Sequence, residues 1–226
     1  MTGLIIDTSG PWLNLAVCRA GKVLASVLQQ AGNRQAEILP EELGKILSAA
    51  KLNLSDINWL AVTAGPGSFT GLRVGISFAQ GLAMGSSIKL LSLNTLDVMA
   101  SLPEGFTGNI SPMLDAKKGQ VYTALYRSEK GVSQIISSYQ VVEPRTWLSQ
   151  LPPQTKIFGS GALAYRELIS GSYPQLQIDE ACPNGPEISG LVKLAIKKRQ
   201  EENFVPAEEL DAFYIRPSDA VVKSHV

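Results

Sequence analysis

An apolar strand that ends in aspartate and turns back through a hairpin occurs twice in this chain. In the first copy Leu4–Ile6 closes on Asp7, a second strand runs Leu13–Cys18, Arg19-Ala20-Gly21-Lys22 makes the turn, and Val23–Leu28 returns. In the second copy Met113-Leu114-Asp115 is followed by Gln120–Tyr126, a turn at Ser128–Gly131 and a strand at Val132–Tyr139. Asp7 with Asp115, and Gly21 with Gly131, match at nearly the same offset, so the chain reads as a duplicated unit by pattern more than by identity.

Each copy then passes into alternating helices and strands. In the first, Leu39, Leu43, Ile46, Leu47 and Ala50 recur at helical spacing, with Pro40 implying a kink or a start near Leu39. A buried strand at Ile57–Thr63, a long helix at Ser68–Gly85 and a strand at Ile88–Leu93 follow. The second copy continues with a short helix at Pro144–Gln150, a strand at Lys156–Gly159 and helices at Ala162–Ser170 and Glu187–Gln200. A meander followed by alternating helices and strands predicts α/β lobes with mixed sheets. The expected architecture is the duplicated, two-lobed fold shared by actin, sugar kinases and chaperone ATPases (the ASKHA fold). The division falls at residues 1–102 and 103–226, within the Pro/Gly-containing connection Pro103–Gly108. Strand-ending aspartates are where that superfamily handles phosphate and metal; as isolated residues, Asp7 and Asp115 read equally as turn formers.

With 226 residues and 45% hydrophobic content the chain can bury a substantial core. Lys+Arg and Asp+Glu are both 20, so it lacks the global positive field of an autonomous tRNA binder. Two distant cysteines, Cys18 and Cys182, suit reduced thiols rather than a disulfide framework. No apolar run is long enough to span a bilayer, and Met1–Gly10 has no basic region of a signal peptide, so the expected location is the cytoplasm.

The segment Ala64–Gly75, Ala-Gly-Pro-Gly-Ser-Phe-Thr-Gly-Leu-Arg-Val-Gly, follows a strand and opens a helix, an anion-binding geometry in general. It has no lysine and no Gly-Lys-Ser/Thr, which excludes a phosphate loop, and Thr70 stands where a dinucleotide fingerprint needs its third glycine. Gly67, Gly71 and Gly75 instead line one helix face, with Gly81 and Gly85 a second such pair. An interior helix glycine costs about 1 kcal/mol relative to alanine, so a bare face needs an offsetting contact. Phe69, Leu72 and Ile76 supply apolar area for one. The facing element is either this chain's own Leu39–Ala50 helix or a helix of a partner.

These residues carry a resemblance. Gly65–Gly75 is similar to the signature stretch of the TsaB (YeaZ) family. Ile6-Asp7-Thr8, Ile38-Leu39-Pro40, Leu114-Asp115-Ala116-Lys117, Gly119-Gln120-Val121-Tyr122 and Phe213-Tyr214-Ile215-Arg216 follow in family order across nearly the whole chain. The resemblance implies a subunit without chemistry of its own, which pairs with a TsaD-type catalytic subunit and, with a TsaE-type ATPase, serves formation of threonylcarbamoyladenosine beside the anticodon of tRNA. It implies contact with tRNA only through the complex, no cofactor, no metal and no membrane, and leaves open a homodimer of the chain alone. The expected partner interface is Leu39, Leu43, Gly67, Phe69, Gly71, Leu72, Gly75 and Ile76. A vestigial nucleotide or phosphate site would involve Asp7, Asp115, Gly159 and Gly161.

Metal-binding relatives carry two histidines four residues apart on the first long helix, whereas Asn33–Ile38 holds none and His225 is the single histidine. Arg34 and Gln35 stand where many family members have His followed by Ser or Thr. With one histidine near the end, no Ser/His/Asp or Cys/His set can be assembled. Gly159-Ser160-Gly161 is either a helix-capping turn or a phosphate-contact loop. Lys193, Lys197, Lys198 and Arg199 read as a solvated helix end or as a patch facing tRNA. The alternative to a scaffold is an autonomous ATPase or small-molecule kinase on the same fold, since fold alone does not decide function.

Overall fold

The computed structural model describes residues 1–102 and 105–215. Pro103 of the expected connection, Arg216 and His225 lie outside the described residues. The first lobe runs β1 (Thr2–Asp7), β2 (Trp12–Arg19), β3 (Lys22–Gln30), α1 (Gln35–Ala49), β4 (Ile57–Gly65), α2 (Phe69–Met84), β5 (Lys89–Asn94) and α3 (Thr95–Ala100). The second runs β6 (Gly108–Asp115), β7 (Val121–Thr123), β8 (Tyr126–Glu129), β9 (Val132–Ile135), β10 (Gln140–Val142), α4 (Pro144–Leu148), β11 (Lys156–Phe158), α5 (Ser160–Ala164), α6 (Arg166–Ser172), β12 (Gln177–Ile178) and α7 (Ile188–Gln200).

The first sheet has the order β3-β2-β1-β4-β5, with β1 antiparallel to β2 and parallel to β4. The second repeats the plan. There β6 is antiparallel to β7 and β8 and parallel to β11, which is parallel to β12. Asp7 and Asp115 close equivalent strands, as the repeat predicts. The second and third strands of the second lobe are each broken in two, around Ala124-Leu125 and again before Gln140, which the apolar pattern does not signal.

Helix α1 starts at Gln35 and contains Pro40. Proline has no N–H to donate to the carbonyl of Ala36, and Ala36 is an exposed residue. The expected helix at Ala162–Ser170 is two short helices meeting at Tyr165, and α3 was not foreseen.

A cut between residues 102 and 103 does not separate the two lobes. Helix α7 packs Leu191, Val192 and Ala195 onto Ile5, Ala16, Cys18, Trp59 and Ala61, covering one face of the first sheet. The chain after it stays there. Val205 bridges Leu90, Leu210 enters the core under α1 and α2, and Phe213 N donates to Ala64 O at 2.6 Å. The expected second lobe at 103–226 is therefore corrected. Its last quarter, as far as it is described, completes the first lobe, because the apolar face of β1, β2 and β4 would otherwise lie open.

Helix α3 joins the lobes. Its Val98 faces the first sheet, while Leu96, Met99 and Ala100 pack on Ile110, Tyr126 and Phe158 of the second. Among the described residues no helix is long and apolar enough to cross a membrane.

Candidate functional site

Between the lobes lies a cleft of about 1210 Å³, bordered by Asp7, Asn14, Asp115, Lys117, Ser160 and Glu187 among others. Asp7 stands at the end of β1, only 1% exposed, and its carboxylate is fully engaged by its own chain. Oδ1 accepts from Ser9 N (3.0 Å) and Thr63 Oγ1 (2.6 Å), and Oδ2 accepts from Asn14 Nδ2 (2.9 Å). The charge thereby ties the β1–β2 turn to β4, as a buried carboxylate must be tied to something.

Asp115 is more open and accepts from Lys117 twice, from its amide at 2.8 Å and its ammonium at 2.7 Å. Burial works to raise this carboxyl, and the two Lys117 contacts outweigh it, so its pKa lies below the usual value. Gly159 has φ +102°, and a Cβ there would stand 2.5 Å from Met113 O; a Cβ at Gly161 would stand 3.0 Å from the same oxygen. Both glycines let α5 press against β6, and Ser160 Oγ between them accepts from Asp115 N at 3.1 Å. Asp7, Asp115 and Ser160 thus meet at the cleft, while Gly159 and Gly161 serve the packing behind it. Among the described residues no group of three or more His, Cys, Asp or Glu could hold a metal ion.

The glycine helix corrects the expected interface. Ser68 Oγ caps α2 by accepting from Gly71 N at 3.2 Å, which starts the helix immediately behind the β1–β2 turn. A Cβ at Gly67 would overlap Ser9 O, at Gly71 Thr8 O, and at Gly75 Thr8 Oγ1. Thr8 Oγ1 in turn donates to Gly71 O at 2.7 Å. The bare face is filled by this chain's own Thr8-Ser9 turn, with Gln35 at the start of α1 also against Gly71, and not by the expected Leu39–Ala50 stretch or a partner. Leu39, Leu43, Leu72 and Ile76 are likewise core residues of the first lobe. Of the eight expected interface positions, Phe69 alone is an exposed side chain, at 38%.

The opposite face of α2 is the open one. Arg73 Cζ lies 4.0 Å from the centre of the Phe69 ring, its Nε donates to Tyr214 Oη at 3.1 Å, and the Phe69 and Tyr214 rings are 5.3 Å apart. One turn past Ser77, Gly81 has no atom within 4 Å of where a Cβ would stand, and Met84 is 81% exposed. This surface was legible only in part, through Phe69 and the second glycine pair; Tyr214 reaches it from far along the chain. Arg34 forms a bidentate pair with Glu37 on the surface, whereas Gln35 is buried and donates to Gly10 O at 2.7 Å.

A duplicated pair of mixed sheets, strand-ending aspartates facing a cleft and a helix wedged between the lobes make up the two-lobed fold of the actin, sugar-kinase and chaperone-ATPase kind. The family TsaD, tRNA N6-adenosine threonylcarbamoyltransferase, matches residues 27–184. Relatives over nearly the whole length bear a different name. The tRNA threonylcarbamoyladenosine biosynthesis protein TsaB of Escherichia coli (strain K12) is 31% identical over 94% of this chain and 94% of its own. That of Haemophilus influenzae is 30% identical over 96% and 94%. The TsaB of Bacillus subtilis (strain 168) is 32% identical, but over 67% of this chain and 66% of its own. YeaZ from Pseudomonas aeruginosa superposes with a TM-score of 0.80 at 25% identity, covering 94% of this chain and all of that one, 100%. The chain belongs to the TsaB (YeaZ) family.

Proposed function

We propose that this chain is a non-catalytic subunit that binds a TsaD-type catalytic subunit during formation of threonylcarbamoyladenosine in tRNA, with a TsaE-type ATPase joining the larger complex. The observation that carries the reading is the division of labour between two surfaces. The Asp7 carboxylate, where a catalytic relative would handle phosphate or metal, is consumed by three internal hydrogen bonds. The outer face of α2 meanwhile exposes Phe69, Arg73, Tyr214 and Met84, the aromatic, arginine and methionine composition of interface anchors. Gly81 on that face admits a second helix at close range.

The interface proposed is therefore this outer face, available to a second copy of the chain when the partner is lacking. With equal numbers of basic and acidic residues, tRNA is contacted through the complex, and the cytoplasm follows from that role. Depletion of the subunit is expected to lower threonylcarbamoyladenosine in total tRNA, read by nucleoside mass spectrometry. In vitro the purified chain is expected to co-elute with the TsaD-type subunit and to release no phosphate from ATP by itself. Unchanged nucleoside levels after clean depletion would remove the pathway assignment. ATP turnover that disappears in Asp7→Ala would replace the scaffold with the autonomous ATPase.

A further inference from the structure

Between β12 and α7 the chain crosses from the second lobe to the first, and the crossing borders the interlobe cleft. It is pinned on both sides. Ser160 N, at the start of α5, donates to Asn184 O at 2.9 Å, and Asn14 Nδ2 of β2 donates to Pro186 O at 3.4 Å. Shortly after, α7 begins and covers the first sheet. Asn184 and Gly185 are therefore a short length of chain held between a bond to one lobe and a bond to the other.

Asn184 is exposed, and its side chain makes no hydrogen bond among the described residues. Gly185 N donates to none of them either, and no atom lies within 4 Å of where a Gly185 Cβ would stand. Of the eight asparagines in the chain, Asn184 alone precedes a glycine. A side chain on the following residue hinders the approach of that residue's amide nitrogen to the asparagine carboxamide, and glycine removes the hindrance. An exposed loop leaves both groups free to meet.

We propose that Asn184 is a site of spontaneous conversion to aspartate and isoaspartate, and that the isoaspartate loosens the joint between the lobes. The Gly185 amide loses its proton to hydroxide, and its nitrogen attacks Asn184 Cγ. The N–Cγ bond forms, the Cγ–Nδ2 bond breaks, and ammonia leaves with a proton taken from water. Water then opens the cyclic imide. Opening at Cγ gives aspartate, whereas opening at the main-chain carbonyl carbon gives isoaspartate, whose backbone runs through Cβ and Cγ and is one atom longer. The net reaction consumes one water and releases one ammonia. In the isoaspartate the oxygen that accepts from Ser160 N belongs to a free carboxylate, and Ser160 Oγ already accepts from Asp115 N. The crossing thus lengthens between its two pins and gains a negative charge on the side of Asp115. This site and its consequence stand independently of the partner-binding role.

The purified full chain is incubated in mildly alkaline buffer, and its peptides are read by mass spectrometry, with isoaspartyl methyltransferase marking the isoaspartate. Conversion is expected at Asn184 ahead of the other seven asparagines, at a rate proportional to hydroxide. Gly185→Ala has open space for its methyl and is expected to convert at least tenfold more slowly. Hydrogen exchange around Ser160 and the first turn of α7 is expected to rise several-fold in the isoaspartate form separated by ion exchange, and to rise less in Asn184→Asp, which adds charge without lengthening the chain. A folded chain that keeps Asn184 intact while a synthetic peptide of residues 180–190 converts would overturn the site. Exchange equal in the isoaspartate form and the unconverted chain would overturn the loosening.

Discussion

At the scale of the residue, the aspartates and thiols owe their behaviour to what folds around them. Asp7 and Asp115 occupy equivalent strand ends, yet one is enclosed by three donors and the other leans on an exposed lysine. Cys182 shows the same dependence. Burial first, then the neighbouring Asp179 carboxylate, pushes its thiol up to about 11. A raised pKa means less thiolate at any pH below it. At pH 8, Cys182 is therefore expected to react with iodoacetamide about a hundredfold more slowly than a thiol of ordinary pKa 9.0. Asp179→Asn removes the negative charge and should speed the reaction. Alkylation followed by peptide mass spectrometry measures both, and a wild-type rate equal to that of free cysteine would contradict the assignment.

At the scale of the element, α2 has two glycine faces with opposite fates. Gly71 is pressed on Thr8 O, a backbone atom fixed by the β1–β2 turn, so a methyl there cannot be accommodated by a side-chain shift. Gly71→Ala gains about 1 kcal/mol of helix propensity against an overpacking cost of about 1–3 kcal/mol, for an expected net loss of about 0–2 kcal/mol. Gly81 projects into open space, and Gly81→Ala should stabilise the isolated chain by about 1 kcal/mol. Thermal melts separate the two. Run beside size-exclusion chromatography with the TsaD-type subunit, Gly81→Leu is expected to melt no lower than the unsubstituted chain and to lose the complex. Full binding by that variant would show that the outer face of α2 is not the interface.

At the scale of the molecule, the lobes are held together by α3 and by the returning C-terminal part of the chain. Asp97 of α3 accepts from Tyr126 Oη at 2.8 Å and from Tyr139 Oη at 2.9 Å, both phenols belonging to the second lobe. Lys193 of α7 donates to Ser101 O and Gly131 O across the same joint. Asp97→Ala leaves the buried Tyr126 hydroxyl without its acceptor. Hydrogen bonds to a charged group contribute about 1.5–3 kcal/mol each, so a loss of about 3 kcal/mol is expected. Urea unfolding reads it, and a loss under about 0.5 kcal/mol would show that the joint rests on apolar packing alone.

The sequence by itself determined the duplication, the mixed sheets and the helix that begins after the glycine segment, because strand alternation, turn glycines and helical spacing are local periodicities. It also determined that the glycine face must meet another surface closely, since bare helix glycines are unstable without one. Which surface that is was decided by the tertiary structure alone. Ser68 starts α2 beside Thr8 and Ser9, residues about sixty positions earlier in the chain, and no periodicity encodes that pairing. The lobe boundary was hidden for the same reason. Helix α7 reads as an ordinary amphipathic helix of the second copy, and only the uncovered face around Ile5, Ala16 and Trp59 brings it back to the first. Burial of apolar surface is non-directional, so a helix pattern states that one face must be covered and leaves to the assembled chain what covers it.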